Sequence, residues 1–407
     1  MRRTRSRRDG GDSRRGGGAF LLSPLGIVFT TVVIDLIGFG IVLPILPLWA
    51  EEFGASPVQI GIITASYAVM QFIFAPILGR ISDRRGRRPV ILVALVGTVI
   101  AFLMIGIAQS LLVIFLARVL QGVAGASYAA AQAYVADVTT REERAHGMGM
   151  IGAAFGLGFL LGPALGALFA LIDMRAPFFV AAALALANLV IAYRRLPESR
   201  VAGAPVESRG GWALLRRSLA SRRLAPLMWL TFLANFAFVA MESTFALFGE
   251  RRLDYGMVGM GLLFAYIGLL AAFSQGYLVR RIVPRMGEGP VLTVGLIGTA
   301  AGLWLMAVSH NLPLLLVALA ILAVASGLVF SATSALISLG SADDEQGAVM
   351  GLAASVASAA RIAAPLVAGV LFQHIDPAAP LVIGGALFAV CVAGALWSTS
   401  RSAVPAS

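Results

Sequence analysis

Two carboxylates sit where a carboxylate is expensive. Asp35 lies 11 residues into the apolar run 24–49, and Glu242 lies inside the run 225–249, while the rest of the 20 acidic residues fall in polar stretches or near run ends. At ~1.5 Å per helical residue Asp35 is about 16 Å deep, close to mid-membrane. A charge there costs about 2.5–3.5 kcal/mol on insertion scales, so each one needs a reason. Low-dielectric surroundings disfavour the ionised form, which turns a carboxyl group into a site that can load and unload a proton. The competing reading is an aspartate neutralised by a fixed partner. Gly38 and Gly40 beside Asp35 permit close helix approach, and Pro44 and Pro47 bend or end the helix.

A second constellation is a polar stripe. Arg118, Gln121, Gly125, Tyr128 and Gln132 follow one another at steps of three and four, which places them on one helix face. Such a stripe in an apolar helix faces a cavity rather than lipid. Arg118 keeps its proton at any relevant pH, so it acts by tuning a carboxylate or holding an anion, or else as glue between helices. In the second half Asn235 and Glu242 are seven apart, and Gly351, Ser355, Ser358, Arg361 and Pro365 form another three-and-four series. Arg361 either pairs with Glu242 or contacts a substrate, and both options stand.

The elements that position these residues are read from run lengths. Of 407 residues 59% are hydrophobic and 13% charged, about half the charge of a soluble domain. Runs of roughly 20 apolar residues can span a bilayer. They predict helices at 24–49, 57–80, 89–108, 111–135, 147–171, 176–193, 225–249, 256–279, 289–309, 313–339, 346–372 and 379–399. The expected fold is all-α and integral to the membrane, twelve helices in two six-helix bundles. Residues 1–23 form a basic cytoplasmic arm, 24–193 the first bundle, 194–224 a cytoplasmic linker, 225–399 the second bundle and 400–407 a cytoplasmic tail. Gly276–Gly287 faintly repeats Gly79–Arg88, with Arg280 in the place of Asp83, which suggests parallel repeats about an axis normal to the membrane.

All 31 basic residues are arginine. Without lysine a Walker A phosphate loop and a pyridoxal or retinal Schiff base are excluded. In this topology Arg175, Arg251 and Arg252 are outside, Arg118 and Arg361 are intramembrane, and the remaining 26 are cytoplasmic, the asymmetry of an inner-membrane protein with both termini inside. That distribution argues against a nucleic-acid partner despite the net charge of +11. The lone Cys391 excludes an intrachain disulfide. His146, His310 and His374 lie near loops, and neither H-E-x-x-H nor G-x-S-x-G occurs, so an enzyme is not expected. Neither is a metal or a cofactor.

The loop Gly79–Arg88 resembles the G-x-L-[A/S]-D-R-x-G-R-[R/K] pattern after the second helix of major facilitator superfamily transporters, with Ile81 its one departure. The fourth run resembles that family's R-x-x-Q-G motif and its following small residues, through Arg118, Gln121, Gly122, Gly125 and Ala126. The fifth resembles the antiporter pattern G-x8-G-x3-G-P-x2-G-G through Gly149, Gly158, Gly162, Pro163 and Gly166, with Ala167 departing at the last position. The Asp-x-x-Gly…Pro-x-x-Pro run of the first helix is similar to the tetracycline and multidrug proton-antiporter branch.

The resemblance implies an alternating-access exporter of small lipophilic molecules, working as a monomer with protons and membrane lipid as its other partners. It also implies that Gly79, Asp83, Arg84, Gly86, Arg87 and Arg88 act as a conformational latch rather than as topology signals alone. Arg118 would take part in proton coupling with Asp35 and Glu242. Gln121, Tyr128, Gln132, Asn235, Ser358 and Arg361 would line the substrate cavity. A proton-coupled uptake symporter is the alternative, and a transport-dead sensor with the same fold is the third reading.

Overall fold

The computed structural model describes residues 23–139, 144–199, 221, 224–342 and 345–402. Each predicted run is helical. The helices are α1 (Pro24–Glu51), α2 (Pro57–Arg85), α3 (Arg87–Gly106), α4 (Leu111–Gly125), α5 (Tyr128–Val138), α6 (Arg144–Ala170) and α7 (Ala176–Arg195) in the first half. The second half holds α8 (Leu224–Leu253), α9 (Met257–Phe273), α10 (Val279–Met286), α11 (Glu288–Ala307), α12 (Leu312–Leu339), α13 (Gln346–His374) and α14 (Ala379–Ser402). Among the described residues ten helical segments are long and apolar enough to cross a membrane, and two more carry shorter apolar stretches, Gly156–Ala170 and Ala379–Gly394.

Local chemistry sets several starts. Ser23 Oγ accepts from the Gly26 N–H at 3.1 Å ahead of Pro24. Ser56 and Gln59 cap each other's backbone, with Pro57 between them, a reciprocal arrangement that satisfies two orphan donors. Asn311 Oδ1 accepts from Leu314 N–H before Pro313. Two predicted rods are not single helices. The fourth breaks at Ala126–Ser127 into α4 and α5, and the eighth passes through a π-helical turn, Ser274–Leu278, between α9 and α10.

The packing repeats after six rods. In the first half α1 lies on α6 and α7, α3 on α7 and α4, and α2 on α4. In the second half α8 lies on α13 and α14, α11 on α14 and α12, and α9 on α12. Between halves, α6 packs on α9 and α2 on α13, a pair of contacts that exchange under the same shift.

These cross-half approaches sit toward the end of the bundle that is poor in arginine. There the backbone at Gly61 meets Pro365, Gly369 meets Pro57, and the Val58 N–H donates to Gln373 Oε1 at 3.2 Å. Gly261 meets Pro163 and Ala167, and Gly268 meets Phe159. Toward the arginine-rich end Gly79, Gly276, Gly347 and Gly351 have no atom within 4 Å of where a Cβ would stand. Among the described residues the halves therefore approach closely at the arginine-poor end and show no such approach at these glycines of the other.

Candidate functional site

Asp35 reaches its place because α1 and α6 come unusually close. A Cβ on Gly162 would stand 2.6 Å from the Ile37 carbonyl oxygen, and one on Gly40 2.6 Å from that of Gly158. Gly166 completes the seam against Ile45. A larger residue at these positions would push α1 outward. Gly149 falls on the same helix, but its surroundings lie outside the described residues. Where the antiporter pattern has a final glycine, the methyl of Ala167 faces Gly261 of the other half, and a Cβ there would be 2.7 Å away.

The half-buried Asp35 keeps one carboxyl oxygen, Oδ1, fully sealed and without a hydrogen-bond partner. No ion pair joins it to Arg118 among the described residues. Against Arg118 stands Tyr67 of α2, a residue without any spacing signal. The Arg118 guanidinium carbon lies 4.5 Å from the centroid of the Tyr67 ring, within cation–π range. Tyr67 is within electrostatic reach of both Asp35 and Arg118. Gln71 Nε2 donates to the Tyr67 hydroxyl and to the Gly125 carbonyl oxygen, each at 3.3 Å. Arg118 is buried at 3% exposure and donates through Nη1 to Gln121 Oε1, while its Nε has no partner. Gly122 and Gly125 make the seat for Tyr67: a Cβ on Gly125 would stand 2.7 Å from the Tyr67 hydroxyl, and one on Gly122 would run into the Tyr67 backbone.

The break at Ala126–Ser127 puts Tyr128 and Gln132 on α5, where their side chains are hydrogen-bonded to each other. Across the gap Arg361 of α13 is exposed and within electrostatic reach of Tyr67, Tyr128 and Glu242, which belong to three other helices. It forms no ion pair with Glu242 among the described residues. Asn235 spends its amide on Thr231 O at 2.8 Å, and Ser358 its hydroxyl on Ala354 O at 2.9 Å. Asp35, Arg118, Tyr67, Tyr128, Glu242 and Arg361 are thus linked between the halves, with Arg361 about one turn and Tyr67 nearly two turns inward of the Gly61–Pro365 seal.

The arginine loop is a separate, ordered assembly. Arg87 is buried and pairs with Asp83 at 2.6 Å and Asp137 at 3.2 Å, and donates to Ser82 Oγ at 2.7 Å. Glu198 caps α3, accepting from the N–H groups of Arg87 at 2.8 Å and Arg88 at 3.2 Å. Gly86 has φ +99°, and a Cβ there would collide with the Glu198 carboxylate. Arg88 donates to Tyr193 O and stacks on its ring, and the Tyr134 hydroxyl donates to Pro197 O at 3.0 Å. Leu196–Ser199, read from sequence as linker, is therefore docked on the first half. Gly79 is open, and Arg84 is exposed.

The sequence profile of the Major Facilitator Superfamily matches residues 28–290 and 281–406. The chain belongs to that superfamily. It is 30% identical to the tetracycline resistance protein, class C, of Escherichia coli over 92% of this chain and 98% of that one. Multidrug resistance protein 1 of Bacillus subtilis is 28% identical over 91% and 94%. These relatives place it in the tetracycline and multidrug branch of the superfamily. Among solved structures, that of the human organic anion transporter MFSD10 (TETRAN) superposes with a TM-score of 0.70 at 27% identity, covering 91% of this chain and 98% of that one. The chain is a multi-pass membrane protein of a transporter family.

Proposed function

We propose that this superfamily member is a proton-coupled exporter of small lipophilic, drug-like molecules across a bacterial inner membrane. The arginine-rich end and both termini face the cytoplasm, so the state described is open inward. The observation that carries the reading is the unpartnered Asp35 carboxyl oxygen beside the Tyr67–Arg118 pair, in a cleft closed at one end only. A proton arriving at Asp35 from outside removes its charge and its attraction for that pair. The change is felt through Tyr67, because no direct bond links Asp35 to Arg118. Proton release to the cytoplasm restores the charge, and substrate entering from the cytoplasm or inner leaflet lies among Gln121, Tyr128, Gln132 and Arg361. The relatives named for tetracycline and multidrug resistance support export of such compounds.

The test is transport in inside-out vesicles of known orientation. Under an imposed proton gradient, substrate should accumulate in the lumen with wild type and not with Asp35→Asn. Net movement in the opposite sense would establish uptake by symport instead. Full proton-driven transport by Asp35→Asn would sink the mechanism.

A further inference from the structure

Arg361 is exposed on α13, and among the described residues no ion pair or hydrogen bond holds its guanidinium. The register of α13 sets its direction. Ala364 and Ala368 pack against Ala240 of α8, while Pro365 and Gly369 meet Gly61 and Pro57 of α2. At about 100° per residue Arg361 falls between these two faces, so it projects into the angle between α8 and α2. It stands four residues before Pro365, about 6 Å inward of the Gly61–Pro365 contact.

Facing it, the first half presents rings. The Phe39 ring of α1 lies 5.6 Å from that of Tyr67 on α2 and 6.2 Å from that of Phe159 on α6, centroid to centroid. Because α2 packs on α13 and α6 on α9, these three half-buried rings form a shelf from one cross-half seam to the other. Tyr67 follows Gly61 by six residues, about 9 Å, so shelf and guanidinium differ in depth by only about 3 Å. Tyr67 is already engaged by one cation, the Arg118 guanidinium carbon 4.5 Å from its centroid. Arg118 itself is buried and does not reach the cleft.

We infer that the shelf and Arg361 together select a flat aromatic molecule bearing one acid group, an organic anion rather than a lipophilic cation. This rests on the exporter reading and narrows its drug-like molecules to one class. The ring of the molecule stacks on Phe39 and Tyr67 in an offset or edge arrangement. Its carboxylate or enolate accepts from the planar guanidinium fork, a charge-assisted pairing that a neutral group of the same shape cannot match. Apolar helices around the cleft strengthen that bond relative to water. Two carboxyl groups act against it, Asp35 of α1 and Glu242 of α8, and both would favour a cation. The contest between them and Arg361 is what a charge series of ligands reads.

The experiment is equilibrium binding to the full chain in lipid nanodiscs at about pH 7, where a carboxylic acid is ionised. Empty nanodiscs supply the background. Three probes share one ring system and differ in charge: naphthoate, naphthamide and naphthylmethylammonium. Wild type should bind the carboxylate about tenfold more tightly than the amide, the effect of one charge-assisted hydrogen bond, and the ammonium most weakly. Arg361→Gln should bring carboxylate and amide within about twofold of each other. Its retained amide binding shows that the variant is folded. Arg361→Lys, a point charge, should keep part of the preference, and Glu242→Gln should enlarge it. Phe39→Ala should weaken all three probes together. Equal or reversed ranking in wild type would overturn the inference, as would no binding of the carboxylate or a preference that survives Arg361→Gln. Binding is read without a proton gradient, so a failure of export leaves this ranking standing, and a flat ranking leaves export standing.

Discussion

The loop between α2 and α3 and its echo between α10 and α11 share a backbone plan and little else. Both end a helix and begin the next at a glycine with positive φ, +99° at Gly86 and +77° at Gly287. In the first loop that glycine supports a network: Arg87 is buried between Asp83 and Asp137, and Glu198 caps the following helix. In the second, a Cβ on Gly287 would meet no atom within 4 Å, and Arg280 and Arg285 are exposed. Arg281, also exposed, turns back to the Tyr277 hydroxyl at 2.8 Å. The difference teaches that the turn is fixed by chain geometry, whereas the network is an addition made in one half. A similar asymmetry holds in the cleft. Asp35 has Tyr67 within electrostatic reach, a ring that itself holds Arg118 and Gln71, while Glu242 has Arg361 within reach.

Breaking the asymmetry should give effects of graded size. The largest is in the cleft: Asp35→Asn is expected to abolish proton-driven export while Glu242→Gln retains part of it, read as gradient-driven flux in vesicles at matched protein levels. Next comes Arg87→Ala, which removes the buried guanidinium that joins Asp83, Asp137 and Ser82 and should cost about 1.5–3 kcal/mol. Arg281→Ala, its counterpart in the exposed loop, should stay within about 0.5 kcal/mol. Thermal unfolding in detergent separates the two.

The glycines follow. Gly287→Ala should cost about 1–3 kcal/mol from backbone strain alone, because φ +77° with ψ 166° is open essentially to glycine only. Gly86→Ala should cost more, because its methyl also displaces Glu198, and the same unfolding assay ranks them. A smaller effect than the glycine changes is expected of Tyr67→Phe. It keeps the ring under Arg118 but removes the hydroxyl that Gln71 holds, at a cost of about 1 kcal/mol. Its flux should persist with an altered pH profile, whereas an unchanged profile would remove Tyr67 from the path between Asp35 and Arg118.

The rods were legible because run length and cap chemistry are local. Ser56, Pro57 and Gln59 announce the start of α2 without any tertiary information. The glycines of α6 were legible as a spacing, but the seam they make with α1 needed the fold. The break at Ala126–Ser127 was not legible, since no proline marks it and the polar stripe keeps its three-and-four spacing across it. Tyr67 was missed because a tyrosine in an apolar helix carries no pattern. Its trace in the sequence is negative, the missing side chains of Gly122 and Gly125 that leave room for it. Glu198 was read as linker because it lies 111 residues from the N–H it caps.

The one-ended seal also has a mechanical side. The helices that meet there, α2 and α13, are each 29 residues long, or about 43 Å of rigid rod. With the pivot at one tip, a turn of about 10° carries the far tip through about 7 Å on that length. Motions at the seal no larger than a side chain's own play therefore decide whether the mouth at the other end admits a molecule, and the leverage runs equally in reverse.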